Sequence, residues 1–371
     1  SDESLLKKVE KIKENIPSLK GIYSFDEIQN ISNWIEILEL GKDTNNQRDV
    51  ETISANIHPD DVATIIYTSG TTAAPKGVML THNNIISNIK GCDDRIPIKA
   101  DIHYTEVRAL SFLPVCHIFE RMLLYLYQSK GFSVYFAESI DKMGDNMKEV
   151  RPHYMTVVPR VIEKVYDKIY NKGMSSGKIK AGIFLWALKV IENKKIIGKP
   201  NTLKEIIADK LVFSKWREGL GGRVYALICG SASLSERLNR IFQNAGIPIM
   251  EGYGLTETSP VIAVNARGKT KPGTVGPIIS NLECKIQDDG EITVKGPSVF
   301  KGYFKNEELT KTEFTEDGYF KTGDIGFLDQ DGYLTITDRK KEMFKTSGGK
   351  YIAPQIIENL AKASKFIEQI I

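Results

Sequence analysis

The chain has 371 residues, of which 41% are hydrophobic and 26% are charged, a composition typical of a soluble globular protein with more than one domain. Its formal net charge is only +3 and its lysines are interleaved with acids, so we expect no nucleic-acid partner. No apolar run approaches the ~20 residues of a membrane span, and no signal peptide is visible, so we predict a cytoplasmic protein.

The chain order of apolar runs and helical segments predicts an α/β fold, with sheets flanked by helices. Ser233 and Glu236 have the spacing of a capping box, and Gly246 is placed to end the helix that follows. Val161, Ile162, Val165 and Ile169 form a helical stripe. The predicted strands are Val62–Tyr67, Ala109–Leu113, Ser133–Phe136, Met155–Val158 and Val224–Cys229.

A long helical stretch, Ile162–Leu220, mixes lysines with large apolar residues. We interpret it as surface helices with one stripe facing the core, and peripheral membrane contact is the alternative. The cysteines are far apart, which is typical of reduced, buried thiols in a cytosolic protein. They are Cys92, Cys116, Cys229 and Cys284.

From Thr274 to Thr337 the pattern becomes mainly β. Two Asp-Gly pairs, Asp289-Gly290 and Asp331-Gly332, lie between β-rich runs and predict tight hairpins. The charged segment Asp338–Lys341 is suited to a hinge, and Pro354–Ile371 has roughly helical spacing.

The segment Thr68–Gly77 packs hydroxyls, glycine and Lys76 directly after a predicted strand. Glycine lets the backbone approach an anion, successive N–H groups can form an anion nest, and lysine adds charge-assisted hydrogen bonds. We therefore predict a phosphate site here, with a solvated turn as the alternative.

Three further segments are candidates for ligand contacts. In Glu251–Thr258, Tyr253 stands between Gly252 and Gly254 and could stack on a base, while Thr256 could bind phosphate and Glu257 could bind Mg²⁺. Gly230-Ser231 follows a predicted strand and is small enough for a purine to lie against the main chain. Asp324 could accept ribose hydroxyls. The alternatives are a turn with a surface tyrosine and a turn-forming aspartate.

These motifs, in this order and spacing, resemble the adenylate-forming superfamily of acyl-CoA synthetases, luciferases and peptide adenylation domains. The motifs are Tyr67–Gly77, Glu251–Glu257, Thr322–Asp324 and Asp338–Ile352. Within it, Leu113–Arg121 and Asp209–Lys215 resemble long-chain fatty-acid:CoA ligases. The expected fold is thus the large α/β domain of an adenylate-forming enzyme with a small β-barrel-like subdomain.

The resemblance implies a set of site residues. Gly230, Ser231, Gly252 and Tyr253 would hold adenine, Asp324 the ribose, and Glu257 Mg²⁺. Thr256 would bind the α-phosphate and Arg339 the ribose or phosphate. His117 and Gly254 would lie near the acyl group, although His117 could equally be a packed histidine. Gly349, between Gly348 and Lys350, would face coenzyme A. The residues expected to bind the β- and γ-phosphates are Thr68, Ser69, Gly70, Thr71, Thr72 and Lys76.

The implied reaction has two steps. A long-chain fatty carboxylate attacks the α-phosphorus of MgATP to give acyl-AMP and pyrophosphate, and the thiol of coenzyme A then displaces AMP. The alternatives are activation of an aryl or amino acid, or a non-catalytic nucleotide-binding relative.

The resemblance also predicts the domain layout, and this chain departs from the family's pattern in three ways. Residues 1–273 would form part of the AMP-binding α/β domain, 274–337 its β-rich subdomain, and 338–371 a hinge with the start of a C-terminal lid. Ala73 replaces the usual glycine. A preceding segment and the lid lysine would lie outside these residues, so we expect weak or no activity from this chain as given.

Overall fold

This computed structural model describes residues 3–68, 75–96, 106–194, 197–342, 344–345, 351–352, 354 and 357. The chain divides into two compact units, Ser1–His58 and Pro59–Ile371. Along the described residues, no helix is long and apolar enough to cross a bilayer.

The first unit consists of short helices and one small parallel sheet in which β1 pairs with β2. Its elements are α1 (Glu3–Glu10), a 3₁₀ turn (Lys13–Asn15), β1 (Tyr23–Ser24), β2 (Ser32–Asn33), α2 (Ile35–Leu40) and α3 (Gln47–Ala55).

The second unit alternates strands and helices. Its strands are β3 (Val62–Thr68), β4 (Lys76–Thr81), β5 (Arg108–Ser111), β6 (Ser133–Phe136), β7 (Tyr154–Val157), β8 (Ala226–Cys229), β9 (Ile249–Gly254), β10 (Val261–Val264), β11 (Gly276–Pro277), β12 (Glu283–Ile286), β13 (Glu291–Lys295), β14 (Gly302–Tyr303), β15 (Phe320–Leu328), β16 (Tyr333–Arg339), β17 (Phe344–Lys345) and β18 (Tyr351–Ile352).

Its helices pack between and around these strands. They are α4 (His82–Gly91), α5 (Ile118–Ser129), α6 (Met143–Val150), α7 (Pro159–Met174), α8 (Lys178–Glu192), α9 (Leu203–Ala208), α10 (Ser214–Gly219), α11 (Glu236–Asn244) and α12 (Glu307–Thr312), with 3₁₀ turns at Asp93–Arg95 and Thr256–Thr258 and a π-helix at Asp209–Phe213.

The central sheet has the order β10-β9-β8-β7-β5-β6 and is parallel except for β10. Both faces are covered. Along β8, Ala226 and Ile228 enter one hydrophobic core while Leu227 and Cys229 enter the other, as the two-residue period of a strand requires. The predicted α/β fold is confirmed, and each predicted strand lies within two residues of an observed one.

The β-rich prediction for Thr274–Thr337 is also confirmed. An antiparallel sheet has the order β11-β16-β15-β13-β12. Asp289-Gly290 joins β12 to β13, and Asp331-Gly332 joins β15 to β16. Both glycines have positive φ, +83° and +78°, which glycine adopts without steric cost in tight turns.

The third sheet, β14-β4-β3, contains the candidate phosphate segment. Strands β3 and β4 are antiparallel, and Thr68 lies opposite Lys76. The two described ends of the segment therefore lie on paired antiparallel strands, with Lys76 and Gly77 already inside β4. Residues 69–74 lie outside the described residues, as does most of the predicted helix Pro354–Ile371.

Three predictions need correction. Helix α11 begins at Glu236, and its N-cap Ser235 makes no capping hydrogen bond. The expected capping box at Ser233 is wrong because the helix begins two residues later than that box requires, at Glu236. The Leu234 N–H donates to Glu251 Oε1, which holds the segment before the helix against the sheet. The end of the helix is as predicted, with Gly246 at φ +75°.

The second and third corrections concern burial. Cys116 is exposed, whereas Cys92 and Cys229 are buried and Cys284 is half-buried, so not every thiol is buried as expected. Asp338 is fully buried within β16, opposite Ile325, rather than part of a solvated charged junction. The strand alternation turns its side chain inward while Arg339 points outward.

Candidate functional site

A large cleft opens where β8 and β9 end beside β15 and β16. Its volume of about 1110 Å³ is ample for a nucleotide. This edge of a parallel sheet is where ligands bind in α/β folds. Predicted site residues that line it are Ser231, Gly252, Tyr253, Gly254, Asp324 and Arg339.

Tyr253, Asp324 and Arg339 meet inside this cleft, from three different strands. The Tyr253 hydroxyl donates to Asp324 Oδ2 at 2.7 Å, and Arg339 Nε lies 3.2 Å from Asp324 Oδ1. The register of β15 and β16 places Asp324 directly opposite Arg339. The interpretation of Asp324 as a simple turn former is therefore wrong, because it is a strand residue that is only 5% exposed.

Burial dominates the electrostatics of this trio. It raises the pKa of Asp324, and the hydrogen bond from Tyr253 and the charge of Arg339 counteract part of that rise. Burial and the neighbouring Asp324 carboxylate together hold the pKa of Tyr253 well above its usual range. A neutral tyrosine thus stays a donor to an acceptor-only carboxylate.

Steric contacts explain why glycine occupies two positions at this edge. A Cβ on Gly254 would lie 1.8 Å from the Pro260 carbonyl oxygen, so only glycine fits. A Cβ on Gly230 would lie 3.0 Å from Phe119 Cζ. The tyrosine motif is itself the end of β9 and not a turn after it, which the sequence interpretation missed.

Glu257 lies in the 3₁₀ turn Thr256–Thr258, which places Thr256 and Glu257 side by side after β9. The Tyr303 hydroxyl donates to Glu257 Oε1 at 2.9 Å, and the Phe300 N–H donates to the Glu257 carbonyl at 2.7 Å. Burial raises the pKa of the Glu257 carboxyl, and the Tyr303 bond and the Lys76 charge counteract this.

Lys76 reaches the same neighbourhood from the candidate phosphate segment. Its Nζ lies 5.1 Å from the centre of the Tyr303 ring and 3.6 Å from Glu313 Oε1. The structure therefore brings Lys76 and Glu257 together around one tyrosine, although 181 residues separate them in the chain.

The Glu257 carboxylate is suited to bind Mg²⁺. Among the described residues there is no cluster of three or more His, Cys, Asp or Glu side chains arranged for a metal. Mg²⁺ does not need one, because it is usually held by one or two carboxylates, substrate phosphates and water.

Sequence reasoning missed a buried clamp on this turn. Asn88 of α4 is fully buried; its Nδ2 donates to the carbonyls of Thr258 (3.1 Å) and Val261 (2.8 Å), and its Oδ1 accepts from the Val261 N–H (3.1 Å). Only the neighbouring Thr81 capping residue marks this helix in the sequence, and nothing local marks the clamp.

A second, apolar pocket adjoins the cleft and was also missed. It shares Ser231, Gly252, Tyr253 and Gly254 with the cleft. The remaining lining residues are mostly hydrophobic: Cys92, Arg95, Ile96, Phe119, Met122, Leu123, Leu126, Ile228, Gly230, Met250, Pro260, Val261 and Val264. The helical spacing of Met122, Leu123 and Leu126 was a signal for a buried face, but not for a pocket.

The remaining predicted residues are less informative. His117 is exposed immediately before α5, so it is not a packed histidine, and the described linings of the cleft and the pocket do not include it. Thr68 ends β3 opposite Lys76. Ser69, Gly70, Thr71, Thr72 and Gly349 lie outside the described residues.

Comparison with known families agrees with this arrangement. Residues 2–304 match the AMP-binding enzyme family. The chain belongs to that family. As an AMP-binding enzyme it shares 39% identity over 323 residues with the long-chain-fatty-acid–CoA ligase FadD15 of Mycobacterium bovis, covering 85% of this chain and 53% of the relative. The peroxisomal long chain acyl-CoA synthetase 6 of Arabidopsis thaliana is 38% identical, with 84% and 46% covered.

Solved structures of this family have the same fold. ATP-bound MatB from Rhodopseudomonas palustris aligns with a TM-score of 0.62 and 27% identity, over 83% of this chain and 54% of its own. The O-succinylbenzoate coenzyme A synthetase MenE of Bacillus subtilis with AMP aligns with a TM-score of 0.62 at 24% identity, over 83% and 56%. The chain spans about half the length of the curated relatives it matches.

Proposed function

We propose that this chain forms the nucleotide-binding and acyl-binding part of a long-chain fatty-acid:CoA ligase. Such an enzyme activates a fatty carboxylate with MgATP to acyl-AMP and pyrophosphate, then transfers the acyl group to coenzyme A. The observation that carries the proposal is a small apolar pocket, of about 60 Å³, that adjoins the polar cleft and shares Gly252, Tyr253 and Gly254 with it; this pocket has room for the part of an acyl group next to the carboxylate and not for a whole fatty chain. The names of the relatives that match 84–85% of the chain support it.

The cleft suits an adenosine group. In the proposed complex, adenine lies against the Tyr253 ring and the backbone of Gly230, Ser231 and Gly252, where small residues leave the main chain accessible. Asp324 accepts the ribose hydroxyls, since a buried carboxylate can accept two hydrogen bonds side by side. Arg339 is 57% exposed and can turn to a ribose or phosphate oxygen.

The phosphate end is proposed around Lys76, Thr256 and Glu257. Lys76 neutralises phosphate charge, Thr256 donates to the α-phosphate, and Glu257 is a ligand for Mg²⁺, which when bound would screen the triphosphate from the attacking carboxylate. From the resemblance we also propose phosphate contacts for Thr68, Ser69, Gly70, Thr71 and Thr72, a coenzyme A contact for Gly349, and substrate contacts for Gly254 and His117.

The lining of the pocket favours an apolar acid over an amino acid, and the names of the relatives favour a fatty acid over an aryl acid. Met122, Leu123 and Leu126 are at most 2% exposed and present carbon atoms only, apart from the soft methionine sulfur. An amino acid would need a partner for its ammonium group, and desolvating that group without one is costly.

The wider setting is also proposed. The enzyme would act in the cytoplasm. We also propose the domain division 1–273, 274–337 and 338–371, whose boundaries differ from the one between the compact units Ser1–His58 and Pro59–Ile371.

Pyrophosphate exchange into ATP tests the function. In the complete ligase of which this chain is proposed to form a part, we expect exchange with palmitate, and little with benzoate or phenylalanine. Lys76→Met and Glu257→Gln should each lower the rate by about 10²–10³, the usual effect of removing one preorganised charge contact. Lys285→Met and Glu316→Gln are the matched controls, because both residues are exposed and neither lines the cleft or the apolar pocket.

Two outcomes would contradict the proposal. Faster exchange with benzoate or phenylalanine would assign the pocket to another acid. Nucleotide binding without exchange for any acid, in a preparation that includes the complete protein, would indicate a non-catalytic relative.

A further inference from the structure

Helix α8 is apolar on two opposite faces. One face packs into the core through Phe184, Leu188 and Ile191, which are 3–6% exposed. On the other face, Ile179, Ile183 and Trp186 are 82%, 37% and 37% exposed. Their spacing of four and three residues places them in one stripe. A surface helix of a soluble protein usually has a polar outer face, so this stripe needs an explanation.

Helix α9 packs against α8 and extends the apolar surface. Leu203, Ile206 and Ile207 are 73%, 52% and 42% exposed, again at helical spacing. The ion pair between Lys194 Nζ and Glu205 Oε2, 2.9 Å long and nearly buried, joins the end of α8 to α9. The two exposed stripes therefore belong to one rigid helical pair, which we call the α8–α9 face.

This face is strongly basic. Residues 178–208, which span α8 and α9, contain seven lysines and two acids, an excess of five positive charges, whereas the whole chain has a net charge of only +3. Four lysines on the two helices are exposed, and among the described residues none of the four forms an ion pair. They are Lys178, Lys180, Lys189 and Lys204.

We propose that the α8–α9 face binds the surface of an anionic lipid bilayer. Apolar side chains would enter the boundary between headgroups and acyl chains, while the lysine stems extend their ammonium groups to lipid phosphates. A second copy of the chain is a less suitable partner, because a two-fold interface would place two basic faces against each other and their charges would repel. The contact is peripheral, in agreement with the absence of a membrane-spanning helix along the described residues.

Vesicle co-sedimentation of the full chain tests this without any assay of catalysis, so its result is separate from that for the proposed function. We expect binding to vesicles of phosphatidylglycerol and phosphatidylcholine, much weaker binding to phosphatidylcholine alone, and weaker binding at high salt. Ile179→Glu with Leu203→Glu should lower binding more than tenfold. Lys178→Gln or Lys204→Gln should lower it about fivefold each.

Phe327→Glu is the control, because Phe327 is 50% exposed but lies on β15. It should bind vesicles like the parent protein. In a Trp34→Phe background, Trp186 is the exposed tryptophan, since Trp216 is buried, and its emission should shift to shorter wavelength with anionic vesicles.

The proposal fails if the parent does not bind anionic vesicles, or if the Ile179/Leu203 variant binds as well as Phe327→Glu. It also fails if the two kinds of vesicle bind equally. A lipid-free dimer that only the Ile179/Leu203 variant abolishes would assign the face to a second copy instead. Circular dichroism and thermal unfolding of each variant show whether it is folded before binding is compared.

Discussion

Asn88→Ala should uncouple the turn that carries Glu257 from the helix that holds it. Asn88 is fully buried and makes three hydrogen bonds to the backbone of Thr258 and Val261. A buried hydrogen bond contributes about 1 kcal/mol net, and a buried group left without a partner costs about 1–3 kcal/mol. We therefore expect a loss of about 3 kcal/mol or more in the free energy of unfolding.

The same change should weaken nucleotide binding. The clamp fixes residues 258–261, directly after Glu257, so its loss lets the proposed magnesium ligand move away from Tyr303. We expect at least tenfold weaker binding of MgATP, which corresponds to about 1.4 kcal/mol.

Urea unfolding and titration calorimetry with MgATP measure the two effects. Asn83→Ala is the matched control. Asn83 lies on the same helix, α4, and its side chain accepts a single hydrogen bond, from the Ser87 hydroxyl. It should change the unfolding free energy by less than about 0.5 kcal/mol. A loss below about 1 kcal/mol in Asn88→Ala would refute the energetic argument. Unchanged MgATP affinity in a destabilised variant would refute the positional one.

Three further changes test other parts of the site. Gly254→Ala should abolish nucleotide binding or folding, because its Cβ would lie 1.8 Å from the Pro260 carbonyl oxygen. The control is Gly182→Ala in α8, which has open space around it. It should stabilise the folded protein by up to ~1 kcal/mol, as measured by thermal unfolding. Tyr303→Phe removes a donor to the Glu257 carboxylate, so the pKa of Glu257 rises further. Its magnesium affinity should fall at the acidic end of a pH titration and recover toward the alkaline end; an equal defect at both ends would contradict this. Burial raises the pKa of Glu251 to about 7 from an ordinary 4.5. The folded state thus holds this proton between those values, and its contribution to stability is complete below pH 4.5 and lost as the pH rises through 7. Compared with Glu251→Gln, whose side chain does not titrate, the parent should lose about 3 kcal/mol of unfolding free energy between pH 4.5 and 8 in urea titrations, and a pH-independent difference would rule this out.

The strands and the hairpins were predictable because their signals are local. Asp289-Gly290 and Asp331-Gly332 specify tight turns by their own backbone preferences, and β15, before the second turn, alternates in burial as strands do. The capping box failed for the opposite reason. Ser233 has suitable neighbours in sequence, but Glu251, from a strand seventeen residues after Leu234, accepts the Leu234 N–H and holds this segment outside the helix.

The site was predictable as a set of motifs but not as a set of contacts. Asp324 lies opposite Arg339 because β15 and β16 pair in one particular register. Asn88 and the apolar pocket depend on packing between elements up to 170 residues apart, for which no local pattern exists. The burial of Asp338 was equally unpredictable, because nothing in the charged segment Asp338–Lys341 indicates that one of its members is buried.

The end of β9 explains why two kinds of surface can meet in one place. Tyr253 lines both the cleft and the apolar pocket, and its hydroxyl is held by Asp324 on the polar side. Gly252 and Gly254 flank it without side chains, so the backbone between the two spaces stays thin. A carboxylate at the mouth of the pocket would therefore be separated from a nucleotide in the cleft by little more than this strand end. Attack of an acid on an α-phosphate requires the reacting atoms to approach to within ~3–3.5 Å, so the carboxylate and the phosphate would have to meet past the edge of this strand end and not across it.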